Sequence, residues 1–104
     1  MSYLLQLVRP RSSTARVDER TRLNLPGFYG DAYVRVYVEK TTTRSRTRDP
    51  RIRLRIADCS NTIALEFSLE TAPLRENSLY KIDTLLAALH RFRDALAAEA
   101  ELRA

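Results

Sequence analysis

Apolar and polar residues take turns along three stretches of the chain, and the alternation predicts a sheet. From Tyr33 to Lys40, Val34, Val36 and Val38 point one way while Tyr33, Arg35, Tyr37 and Glu39 point the other. Arg51 to Ala57 repeats the device, with Ile52, Leu54 and Ile56 set against Arg51, Arg53 and Arg55. After the turn-like Asp58-Cys59-Ser60-Asn61, the run Thr62 to Glu70 turns Ile63, Leu65, Phe67 and Leu69 inward and Ala64, Glu66, Ser68 and Glu70 outward. A four-residue loop there places Ile56 opposite Ile63, Leu54 opposite Leu65 and Ile52 opposite Phe67. The apolar faces then match in register, as an antiparallel hairpin requires.

Beyond this the period changes from two to that of a helix. Pro73 is read as the end of the sheet and Asn77 or Ser78 as a helix cap. No Gly or Pro follows from Leu79 to Arg103, and Leu79, Ile82, Leu85, Leu86, Leu89, Phe92 and Leu96 form one stripe. A helix over 78–103 is roughly 39 Å long at 1.5 Å per residue, against about 28 Å for strands of eight or nine residues. Its last turns, 97–104, therefore overhang, either frayed or packed on another copy of the chain. Leu89, Phe92, Leu96 and Leu102 are the candidate dimer interface.

Toward the N-terminus, Tyr3 to Arg9 is short, apolar and closed by Pro10, which predicts a first strand. Residues 11–32 read as a long loop or mobile arm, with turn signals at Pro26-Gly27 and Gly30-Asp31. The expected fold is α+β: an antiparallel sheet of about four strands with one long C-terminal helix packed on one face. All 104 residues form a single domain in this reading.

Charge sharpens the picture because it is uneven. The chain carries a net +5, yet residues 33–55 alone carry +6; residues 1–32 carry +2 and residues 56–104 carry −3. A single cysteine, Cys59, rules out an internal disulfide and fits a reducing cytoplasm. No apolar run approaches the roughly 20 residues that cross a bilayer, and the N-terminus lacks a charged region ahead of its apolar patch. A cytoplasmic protein is expected.

The candidate chemistry lies on the outward sheet face and its connecting loop. Tyr33 and Tyr37 offer flat surfaces on which bases stack, and Arg35, Arg51, Arg53 and Arg55 beside them can hold phosphates. The hairpin loop 41–50 adds Arg44, Arg46 and Arg48 among hydroxyl residues. Against this stands a plainer account: Glu66 opposite Arg53, with Glu70 diagonal to Arg51, could make cross-strand ion pairs on a merely solvated face. Two glutamates do not neutralise all of these arginines.

Nothing in the chain reads as catalytic. His90 is the only histidine and flanks the helix stripe, Cys59 reads as a free thiol, and no nucleophile elbow, phosphate loop or paired carboxylates occur. No metal site or cofactor is expected. The reading is a small bacterial or phage protein, a homodimer, that contacts single-stranded or distorted DNA or RNA through the Tyr/Arg face and basic loop. The alternative is an interaction module, a small regulator or adaptor, using its helix and its basic face against an acidic protein.

Overall fold

A computed structural model of the chain describes residues 14–42, 46 and 48–104. Four strands, β1 (Ala15–Arg22), β2 (Ala32–Glu39), β3 (Ile52–Asp58) and β4 (Asn61–Leu65), form one antiparallel sheet in the order β1-β2-β3-β4, followed by helix α1 (Ala72–Leu102). This is the expected α+β arrangement. The strand expected at Tyr3 to Arg9 lies outside the described residues.

Residues 15–22, expected within a long loop, instead form β1, the first strand among the described residues. Val17, Glu19 and Thr21 pair with Val38, Val36 and Val34, while Asp18, Arg20 and Arg22 pair with Tyr37, Arg35 and Tyr33. Both faces of this segment are polar, so the strand announces itself by no apolar alternation; its place is set by the ladder to β2. A register shift between Ala15 and Val17 leaves Arg16 as the extra residue of a bulge.

The hairpin register is as the alternation requires, with Ile56 opposite Ile63 and Leu54 opposite Leu65. The ladder stops at Leu65, however, so Ile52 and Phe67 are not a strand pair. The turn is tight: Asp58 pairs with Asn61, and Cys59 sits at φ 56, in the left-handed region.

The helix begins six residues earlier than its cap signals suggest. Thr71 is the N-cap, its hydroxyl accepting from the Leu74 amide at 3.3 Å, and Pro73 lies in the first turn. Proline is tolerated there because its missing N–H would have no partner in any case. Ser78, once the candidate cap, is instead buried inside the helix. Its hydroxyl accepts from the Ser68 amide at 2.9 Å and donates to the Ser68 carbonyl at 2.8 Å. Arg75 donates to the Leu69 carbonyl at 3.0 Å, and Lys81 donates to the Glu66 carbonyl at 2.6 Å while lying over the Phe67 ring. The connector 66–70 thus fastens the front of the helix.

Below Ser78 only Lys81, Ile82, Leu85 and Ala88 are half-buried; from Leu89 to the C-terminus every residue is exposed. The uncovered part starts well before the expected overhang at 97. The enclosed core is small, with Ala32 and Ala57 the only buried apolar residues among those described. The Val, Ile and Leu side chains of β2 and β3 are half-buried.

Candidate nucleic-acid interface

Strand register converts the outward residues into a grid. One row reads Arg22, Tyr33, Ala57, Thr62; the next reads Arg20, Arg35, Arg55, Ala64; the third reads Asp18, Tyr37, Arg53. Directly opposed residues on one face of an antiparallel sheet hold their Cβ atoms about 5 Å apart. The middle row therefore sets three guanidinium side chains abreast on three strands. Arg51, just ahead of β3, sits beside Glu39, whose amide donates to the Arg51 carbonyl at 2.9 Å.

Three acids moderate this face, and none is the pair anticipated. Asp18 accepts from Arg35 at 3.3 Å. Asp31 accepts from Arg20 at 3.4 Å, while the Arg20 guanidinium lies 3.9 Å from the centroid of the Tyr33 ring. Glu39 takes two hydrogen bonds from Arg48, at 2.8 and 3.1 Å, and one from the Arg51 amide at 2.7 Å. That donor set, Arg48 foremost and the Arg51 amide next, pulls the Glu39 carboxyl down to about 2. The same bond raises the Arg48 guanidinium above its ordinary value. Glu66 and Glu70 form no ion pair among the described residues, because the ladder ends before either reaches β3.

The arginines anticipated at the site therefore fall into distinct groups. Arg51, Arg53 and Arg55 make no salt bridge among the described residues. Arg35 is paired with Asp18, and its Nε is buried without a hydrogen-bond partner. Arg48 is spent on Glu39. Arg46 is exposed and lines an open cleft of about 280 Å³ with Arg48, Arg75 and Glu70. Arg44 lies outside the described residues. Tyr33 and Tyr37 are both half-buried on the expected face, Tyr33 beneath Arg20.

The grid also includes Arg20 and Arg22, which the alternation did not flag. Arg22 donates to the Phe28 carbonyl at 3.2 Å, and the two arginines line a cleft of about 330 Å³ with Asp31, Ala32 and Tyr33. The only signal for them was their spacing: residues 18, 20 and 22 share a face if the segment is a strand. With β1 included, the face holds Arg20, Arg22, Arg35, Arg51, Arg53 and Arg55 against Asp18, Asp31 and Glu39, a net +3.

The loop 41–50 is tied down at its far end. Asp49 accepts from the Ser68 hydroxyl at 2.7 Å and from the Leu69 amide at 2.8 Å. With Glu39 gripping Arg48 and the Arg51 amide, polar bonds anchor the loop where no hydrophobe does. The candidate interface residues on the helix, Leu89, Phe92, Leu96 and Leu102, are 49%, 65%, 57% and 78% exposed. No helix among the described residues is long and apolar enough to cross a membrane. No family model matches the chain, and neither a curated protein nor a solved structure matches it.

Proposed function

We propose that this chain is a nucleic-acid-binding protein, not an enzyme, which takes single-stranded or distorted DNA or RNA on the Tyr/Arg face. The observation that carries the reading is the row Arg20, Arg35, Arg55, three like charges abreast on adjacent strands. Asp31 and Asp18 offset Arg20 and Arg35, whereas Arg55 makes no salt bridge among the described residues; like charges directly opposed destabilise a sheet, and a phosphate backbone lying across the row relieves the charge that remains. Arg51, Arg53 and Arg55, which spend no charge on carboxylates, hold phosphates. Tyr37, in the adjacent row between Asp18 and Arg53, stacks a base. Tyr33 joins only after Arg20 swings off its ring or stacks over the base in turn. The exposed Cys59 thiol is compatible with a reducing cytoplasm.

Fluorescence anisotropy with labelled oligonucleotides tests this. Binding should weaken with salt along a log–log slope of roughly −3, at about 0.7 per phosphate contact for four or five contacts. Changing Arg51, Arg53 and Arg55 together to Glu should abolish binding. Unchanged affinity in that variant, or no salt-sensitive binding at all, sinks the reading. An acidic protein on the same face would depend on the arginines but not on base stacking. Tyr37→Ala, expected to cost about 1–3 kcal/mol with an oligonucleotide, separates the two.

A further inference from the structure

We infer that the cleft beside Tyr33 takes one unpaired guanine of a bound strand, read by the Asp31 carboxylate, an assignment that rests on the nucleic-acid reading above. Arg20 occupies the position such a base would take. Its guanidinium is a planar fork of N–H donors. It lies over the Tyr33 ring, 3.9 Å from the centroid, and donates to Asp31 Oδ1 at 3.4 Å. A flat group over this ring is therefore within reach of this carboxylate. A base stacked on Tyr33 meets the same two partners.

Backbone bonds hold Asp31 in place. Its carbonyl accepts from the Cys59 amide at 3.0 Å, and next to it the Ala32 carbonyl accepts from the Leu23 amide at 2.8 Å, closing the β1–β2 loop at its base. Arg22, on the outward face, donates to the Phe28 carbonyl at 3.2 Å and draws the same loop toward that face. The cleft these residues line with Ala32 and Tyr33 measures about 330 Å³. That is the lower end of the range for small-ligand sites, room for one base.

The donor pattern selects the base. An ionised carboxylate only accepts hydrogen bonds. Guanine carries two adjacent donors on its pairing edge, N1–H and the N2 amino group, and they match the two carboxylate oxygens as a guanidinium fork does. Adenine and cytosine offer one amino group beside a ring nitrogen that repels the carboxylate. Thymine and uracil offer one N–H between two carbonyls that repel it. Asp31 Oδ2 takes no hydrogen bond among the described residues, and Oδ1 holds only the long bond to Arg20. Both oxygens can therefore turn to the base, whose pairing edge is open only in an unpaired strand. Arg20, displaced from ring and carboxylate together, joins Arg22 on the phosphate of the same nucleotide.

The test is fluorescence anisotropy at fixed salt, using the full chain and labelled oligothymidylate that carries one internal guanosine, adenosine or cytidine. The guanosine strand should bind about 5- to 150-fold tighter than plain oligothymidylate, the discrimination of one well-placed bidentate pair. Adenosine, the control for purine stacking, and cytidine should gain little. Asp31→Asn, which turns one acceptor into a donor, should erase the guanosine preference. Its affinity for plain oligothymidylate should stay level or rise, because a negative charge has gone; a merely structural loss would weaken every strand alike. The comparison among strands needs only the parent chain, so it decides the matter even if the variant unfolds. A parent that binds oligothymidylate and gains nothing from guanosine overturns the inference and leaves the nucleic-acid reading standing; a parent that binds no strand overturns both. A guanosine preference that survives Asp31→Asn overturns the part given to Asp31. Free guanosine monophosphate bound without any preference among strands makes the ligand a mononucleotide and also overturns the inference.

Discussion

Glu39 stands where strand, loop and strand meet, and its three hydrogen bonds decide how the 41–50 loop leaves the sheet. Its carboxyl is held at about 2 against an ordinary 4.5, so the ionised form is the one the fold favours. A depressed carboxyl stabilises fully above its unfolded value and loses that contribution as pH falls through the folded one. Glu39→Gln should therefore be less stable than the parent by a constant amount above about pH 4.5, with the two converging between there and about pH 2. Thermal melts of both proteins across that range measure it. Convergence at neutral pH instead would remove Glu39 from the account. The same variant should be cut faster by trypsin within residues 41–50 at neutral pH, because the amide keeps one accepting oxygen where the carboxylate has two, and Arg48 loses its two-point, charge-assisted hold.

Cys59 is a second position where one residue sets the geometry. At φ 56 a side chain costs about 1–2 kcal/mol relative to a residue at ease in the left-handed region. Cys59→Gly should raise stability by about 1 kcal/mol, visible as a few degrees in the melting temperature. No gain would mean that the Cys59 Sγ, close to Gly30 in the packed turn, returns what the strain removes.

Among the elements, β2, β3 and the β3–β4 hairpin were legible because each has one apolar and one polar face. The alternation of Val34, Val36 and Val38 against Tyr33, Arg35 and Tyr37 leaves little choice of orientation, and the hairpin register followed from it. β1 was not legible, since Glu19 and Thr21 occupy the face where apolar residues would have betrayed a strand. The helix start was misplaced for a different reason: Ser78 has a cap's chemistry but spends its hydroxyl on Ser68, while the real cap, Thr71, stands ahead of a proline that resembles a stop.

The two unforeseen features are both testable. Ser78→Ala leaves the Ser68 amide and carbonyl without their partner and should cost about 1–3 kcal/mol, read by denaturant unfolding. A neutral result would mean that water enters and replaces the hydroxyl. Arg20→Gln with Arg22→Gln, which alters only β1, should lower oligonucleotide affinity and flatten the salt slope by roughly 1.4, near 0.7 for each of two lost phosphate contacts. Unchanged affinity would confine the interface to β2 and β3 and return β1 to a merely charged edge that resists sheet extension.

At the scale of the molecule, the chain's extents are 55 × 33 × 28 Å and its radius of gyration 16.9 Å, against about 13 Å for a compact chain of this length. Among the described residues the enclosed apolar core is two alanines, which offers little to offset the entropy of ordering the chain. If the homodimer expected from the sequence closes the bare half of α1, folding and association are one equilibrium, and stability depends on concentration. Each tenfold rise in protein adds about 1.4 kcal/mol per dimer, which for two chains of this size moves the melting temperature up by roughly 3–4 °C. A Leu89→Glu, Phe92→Glu, Leu96→Glu variant should then melt lower and show no such dependence. A parent chain whose melting temperature is the same across a hundredfold range of concentration folds alone, and its long helix then owes its order to the connector 66–70 and to the half-buried turn around Ile82 and Leu85.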